Sequence, residues 1–147
     1  MVLGGRKEKV VMITGSTSGI GGIFFLSSTH GWAIGGPSSA VFRTTDGGAS
    51  WNLSFPGSSY SLQDVWFTST TEGCAVGFHG SFYKTTNGGA SWTNVSGSSI
   101  RDVHSVYFAN ANYGYASADD GYFFTTFDGG NSWGYTASAT GGSLTGT

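Results

Sequence analysis

The chain is poor in the residues that build helices and in those that grip nucleic acid. Of its 147 residues only two are Glu, three Lys, three Arg and five Leu, so strong helix formers are scarce. Charged residues make up 10%, against a usual ~25%. This argues against a helical bundle, a coiled coil and an α/β enzyme. Beyond Arg6-Lys7-Glu8-Lys9 only Arg43, Lys84 and Arg101 are basic. A nucleic-acid surface needs clustered Lys and Arg to neutralise phosphates, so no nucleic-acid partner is expected. The basic cluster reads as a solvated terminus rather than a membrane or phosphate contact. The single cysteine, Cys74, excludes an internal disulfide. No apolar run approaches the ~18 residues of a transmembrane span. The N-terminus also lacks the apolar region and cleavage site of a signal peptide.

What is abundant points one way. Glycine accounts for 26 residues and aromatics for 16%, with Ser and Thr filling much of the remainder. Such a composition suits short strands joined by tight turns. The 38% hydrophobic content is sufficient for a core, so disorder is not expected.

An internal repeat organises the chain. Phe42-Arg43-Thr44-Thr45-Asp46-Gly47-Gly48-Ala49-Ser50-Trp51 returns as Tyr83-Lys84-Thr85-Thr86-Asn87-Gly88-Gly89-Ala90-Ser91-Trp92 and as Phe124-Thr125-Thr126-Phe127-Asp128-Gly129-Gly130-Asn131-Ser132-Trp133. Upstream, Gly31-Trp32-Ala33-Ile34-Gly35 matches Gly73-Cys74-Ala75-Val76-Gly77 and Gly114-Tyr115-Ala116-Ser117-Ala118. Each unit of about 41 residues divides into four short strands, a to d, as in a β-propeller blade. In the second unit they fall near Gln63–Thr68, Gly73–Gly77, Ser81–Thr86 and Ser91–Val95. One blade exposes apolar side chains on both faces, so neighbours must stack.

The expected fold is therefore all-β: a partial β-propeller of three four-stranded antiparallel blades plus one extra N-terminal strand. Residues 1–8 form a solvated tail and 9–22 the outer strand of a preceding blade with its link. Blades 1, 2 and 3 occupy 23–61, 62–102 and 103–143, and 144–147 begin a further blade. Because propellers typically use 4–8 blades, the expectation is a fragment or a protomer. The remaining blades would come from a longer parent chain or by oligomerisation.

The phrases Thr44-x-Asp46-x-Gly48-x-x-Trp51, Thr85-x-Asn87-x-Gly89-x-x-Trp92 and Thr126-x-Asp128-x-Gly130-x-x-Trp133 carry the signature of the Asp-box, or sialidase (BNR), repeat. An Asp or Asn side chain here accepts backbone N–H bonds across the c–d turn, and the glycines supply positive φ. Together with Gly-Trp-Ala-Ile-Gly upstream, the chain most resembles propellers of the photosystem II assembly/stability factor family. The resemblance implies a non-enzymatic scaffold that binds a protein partner, with no cofactor, in an extracytoplasmic setting (periplasmic, lumenal or secreted). Asp-box relatives also include sialidases and xyloglucan-cleaving glycosidases, so a carbohydrate-active or glycan-binding fragment is the alternative.

Val10 to Gly21 imitates the Thr-Gly-x-x-x-Gly-x-Gly cofactor loop of short-chain dehydrogenases. That loop needs a helix after it, yet Gly22 to Trp32 has no helical period. No lysine lies four residues after any tyrosine, so the Tyr-x-x-x-Lys catalytic pair is missing too. The repeat explains the segment as a strand d and an interblade link.

In an antiparallel blade the a–b and c–d turns share one rim, and the b–c turns and d–a links share the other. The Asp-boxes lie on the first rim, as turn staples. Binding is expected on the second, in turns Gly36–Ser39, Phe78–Gly80 and Asp119–Gly121 and links near Gly15–Gly22, Pro56–Gln63 and Gly97–His104. These hold Tyr60, His79, Arg101, Asp102, His104, Asp119 and Asp120. His79-Gly80 and Asp120-Gly121 also suit hairpin turns, and Arg101-Asp102 reads as a solvated local pair. Scattered histidines give no metal site, and Cys74, in the position of Trp32, is a core filler. A sialidase would need an arginine triad, absent from the blades. A glycosidase would need two carboxylates facing across roughly 5–10 Å, whereas Asp119 and Asp120 are adjacent and point apart. No catalytic residue is assigned.

Overall fold

The computed structural model describes residues 20–36, 38–55 and 59–137. Among them are three four-stranded antiparallel sheets. The first contains β1 (Ile20–Phe25), β2 (Gly31–Gly35), β3 (Ala40–Thr44) and β4 (Asn52–Phe55). The second contains β5 (Leu62–Phe67), β6 (Gly73–Gly77), β7 (Ser81–Thr85) and β8 (Thr93–Asn94). The third contains β9 (Val103–Phe108), β10 (Gly114–Ala118), β11 (Tyr122–Thr126) and β12 (Gly134–Ala137). Each sheet is an up-and-down meander in sequence order, and the first strand of each is the inner one, with β5 lying between β1 and β9. The arrangement is a partial β-propeller.

Blade 1 begins earlier than the repeat suggested. Its first strand starts at Ile20 rather than 23, because Ile20 pairs with Gly35 as Leu62 pairs with Gly77. Each inner strand carries a bulge at the same phase: Gly21, Gln63 and His104 are the extra residues between paired neighbours. The stretch after Gly19 is thus a strand, which removes the helix a dinucleotide loop would require. Of the expected preceding strand and link at 9–22, residues 9–19 lie outside the described residues, as do the tail at 1–8, the end of blade 3 at 138–143 and the further blade at 144–147.

Strands β2 and β6 are buried along their whole length, and β6 has a blade packed on each of its faces. From blade 1, Phe24, Trp32, Ile34 and Val41 pack against Leu62, Val65, Phe67 and Ala75 of blade 2. From blade 2, Cys74, Val76 and Phe82 pack against Val103, Val106, Phe108, Ala116 and Phe124 of blade 3. Burying each large apolar side chain contributes about 1.5–3 kcal/mol, so these two seams dominate cohesion. On the far face of blade 3 the pattern changes: β10 alternates between buried and exposed, and Tyr107 and Tyr115 are about half exposed.

The Asp-box turns are built alike. Thr44 Oγ1 donates to Asp46 Oδ1 at 2.8 Å and accepts the Gly48 N–H at 2.9 Å. Asp46 in turn accepts the Ser50 N–H at 2.9 Å and the Ser50 hydroxyl. Thr126, Asp128 and Ser132 repeat this arrangement. Thr85, Asn87 and Ser91 keep the bonds to Oδ1 and that of the Gly89 N–H to Thr85. The last bond reverses there, the Asn87 amide donating to the Ser91 hydroxyl at 2.8 Å. The second glycine of each box has φ of 90–94°, and a Cβ on Gly89 would run into Ser54 of the preceding blade. Trp92 donates its indole N–H to Ser54 Oγ at 3.1 Å, and Ser54 donates to the Gly89 carbonyl at 2.6 Å. One repeat later Val95 replaces Ser54, and the buried Trp133 Nε1 has no acceptor.

Candidate functional site

Hydrogen bonds fix which loops share a rim. The c–d turns reach the a–b turns: Gly47, Gly88 and Gly129 donate their N–H groups to Thr29, Thr71 and Asn112 at 2.8–2.9 Å. On the opposite rim the b–c turns reach the d–a link, with Gly80 N–H on the Arg101 carbonyl at 2.8 Å and Asp119 N–H on the Asp102 carbonyl at 3.1 Å.

The b–c turns of blades 2 and 3 are held in left-handed backbone. His79 and Gly80 have φ of 59° and 67°, and Asp120 and Gly121 have φ of 58° and 74°. Two consecutive positive φ values match the hairpin-turn geometry expected there. Gly80 is required by contact as well as by φ, since a Cβ would collide with the Ser99 carbonyl. This close approach ties the turn of blade 2 to the link that precedes blade 3.

That link forms one wall of a groove of about 490 Å³. Ser98, Ser99, Ile100, Arg101 and Asp102 line it on one side, and Asp119, Asp120, Tyr122 and Tyr135 on the other. Arg101 Nη1 bonds Asp120 Oδ2 at 2.9 Å, and its guanidinium carbon sits 3.5 Å above the Tyr122 ring. The local Arg101-Asp102 pairing is therefore replaced. Neighbours in an extended segment project to opposite sides, so Arg101 turns to blade 3 while Asp102 Oδ1 accepts the His79 N–H at 2.8 Å.

The other expected residues adjoin the groove without lining it. Tyr60 stacks on His79 with ring centroids 4.2 Å apart. His104 projects from its bulge to place Nε2 2.6 Å from Asp119 Oδ1; a bulge commonly re-aims a side chain in this way. Asp119 and Asp120 thus diverge to separate partners. Sequence reasoning passed over Tyr122 and Tyr135 as groove residues. The available signal was positional, because Tyr122 places an aromatic where the repeat has Ala40 and Ser81.

The groove is amphipathic and of mixed charge. Asp102, Asp119 and Asp120 oppose one guanidinium, while Ile100 and Tyr135 expose apolar surface beside them. Among the described residues no three His, Cys, Asp or Glu side chains gather as a metal site would need. No described helix is long and apolar enough to cross a membrane. On the Asp-box rim, hydrogen bonds from the Ser50 hydroxyl, the Ser50 N–H and Thr44 hold the Asp46 carboxyl down at about 2. Ser132 and Thr126 do the same for Asp128. These acids are turn staples committed to the charged form.

Comparison with known proteins agrees with this architecture. The family model described as photosynthesis system II assembly factor YCF48 matches residues 10–99. The solved structure of YCF48 bound to D1 peptide is similar with a TM-score of 0.68 and 25% identity, over 82% of this chain and 42% of that one. YCF48 from Cyanidioschyzon merolae gives 0.67 and 24%, over 84% and 38%. An ancestral GH74 enzyme gives 0.63 and 20%, over 78% of this chain and 18% of the enzyme, a likeness of fold alone. No curated protein matches. The chain spans less than half the length of these solved relatives. With 90 of 147 residues under the family model and three Asp-box blades in register, the chain belongs to the YCF48 family of BNR-type propellers.

Proposed function

We propose that this chain is a non-enzymatic interaction module that holds a segment of a protein partner on the rim opposite its Asp-boxes, as a scaffold or assembly factor. The observation that carries the reading is the groove between blades 2 and 3. Arg101 lies there over Tyr122, next to exposed Ile100 and Tyr135 and the hydroxyls of Ser98 and Ser99. Arginine and aromatic side chains grouped in a concave patch are the usual energetic centre of protein interfaces. A relative of known structure is described as bound to a D1 peptide, which is consistent with a peptide ligand. Each groove carboxylate has a partner: Asp119 faces His104, Asp120 faces Arg101 and Asp102 holds a backbone N–H.

A second reading has its own support. Tyr122 and Tyr135, 5.9 Å apart, beside Asp119 and Asp120 make a surface on which a sugar ring could stack, and GH74 enzymes share the fold. Parallel peptide and glycan arrays separate the two readings. The first requires peptide binding that is lost in Arg101→Ala and Asp120→Ala. Glycan-specific binding without peptide binding would replace it with the second.

A further inference from the structure

We propose that the cleft between blades 1 and 2 on the Asp-box rim binds a single oxyanion, a carboxylate or phosphate group, on Arg43. The two blade junctions place a basic side chain of strand c at the same position, Arg43 in the first and Lys84 in the second. Lys84 is fully provided for. Its Nζ bonds Glu72 Oε2 at 2.9 Å and the Gly129 carbonyl of the next Asp-box at 2.8 Å.

Arg43 has neither partner. The carbonyl equivalent to that of Gly129 belongs to Gly88, and the Trp32 indole occupies it at 3.1 Å. Cys74 stands in the place of Trp32 at the second junction, which leaves the carbonyl there to Lys84. The position of Glu72, just before the glycine that opens strand b, is held in blade 1 by His30. Its Nδ1 is engaged with Thr29 Oγ1 at 2.9 Å. Among the described residues no carboxylate pairs with Arg43, and its Nε is buried without an acceptor.

The guanidinium lies beside Gly88 and borders a cleft of about 190 Å³ whose other walls are Thr45, Asn52, Leu53, Ser54, Gly89 and Ala90. Thr45 and Asn52 thus bring a hydroxyl and an amide to the same cleft as an uncompensated cation. The volume is below the ~300 Å³ at which pockets for drug-sized ligands begin, so one anionic group fits and a whole sugar or nucleotide does not. The planar fork of arginine matches both carboxylate and phosphate.

The test uses the Trp92 indole N–H, which is bonded to the Ser54 hydroxyl in the cleft wall, as an NMR reporter. Inorganic phosphate and acetate are titrated separately at constant ionic strength set with chloride. A saturable shift with phosphate assigns the phosphate source and one with acetate the carboxylate source. Either must weaken at least tenfold in Arg43→Gln. His30→Glu, which installs the missing internal carboxylate in a folded protein, must abolish the response. No saturable shift with either probe, or a shift unchanged in both variants, overturns the proposal. The opposite rim is untouched by these substitutions, so this result stands apart from peptide binding.

Discussion

The indole of Trp32 lies flat on the ring of Phe67, with centroids 3.5 Å apart and planes 7° from parallel. Both rings are fully buried, and the indole N–H also donates to the Gly88 carbonyl across the seam at 3.1 Å. One residue therefore supplies packing and a buried hydrogen bond to the joint between blades 1 and 2. Truncating a buried large aromatic costs about 3–5 kcal/mol, and the orphaned carbonyl adds to it. Trp32→Ala should lower the unfolding free energy by at least 3 kcal/mol in urea titration. A loss below about 1 kcal/mol would mean that the seam does not hold the blades together.

The Asp-box carboxylates make the fold sensitive to acid. Asp46 and Asp128 have folded-state values near 2, below the ordinary 3.8. A depressed carboxyl contributes stability that is full above the unfolded value and is lost as pH falls towards the folded one. Thermal stability should therefore drop between about pH 4 and pH 2. Asn87 fills the same role without titrating. The double variant Asp46→Asn with Asp128→Asn should fold, with a visibly flatter Tm-against-pH curve below pH 4.

Cys74 is 2% exposed in the second seam, and burial pushes its thiol up to about 12. The thiolate is the reactive form, so the native protein should resist an aromatic disulfide reagent at pH 8. In denaturant the same thiol should react within minutes. Rapid native labelling would show that blades 2 and 3 separate readily.

Gly80 joins the groove wall to the turn of blade 2 through its N–H on the Arg101 carbonyl. Left-handed backbone costs a residue with a side chain roughly 1–2 kcal/mol, and here a Cβ would also meet the Ser99 carbonyl. Gly80→Ala should therefore destabilise by about 2 kcal/mol or more. Faster amide exchange should follow at Ser99–Asp102. Unchanged exchange there would detach the wall from the turn.

Blade phase was legible in the sequence because the Asp-box demands fixed residue types at fixed spacing. Strands in blade 2 fell within about two residues of their observed ends, and the rim of each loop followed from antiparallel connectivity. Pairings that depend on strand register were not legible. Arg101 and Asp120 are 19 residues apart and meet only because the link and the b–c turn face each other. The bulge that aims His104 at Asp119 appears only once Val103 and Ser105 are seen to pair with adjacent residues. Lys84 with Glu72 was equally hidden, since repetition marks the positions that agree between blades and these are positions that differ.

The groove reading is most directly tested by binding of the wild-type chain, Arg101→Ala and Asp120→Ala to one peptide array that includes D1 peptide. Asp120 is largely exposed and Arg101 about one-third exposed, and an ion pair this open to water contributes about 1 kcal/mol or less to folding, so both variants should keep Tm within a few degrees of wild type. The account predicts that wild type binds a defined subset of peptides and that both variants lose at least tenfold affinity for them. Equal binding by all three folded proteins would contradict it.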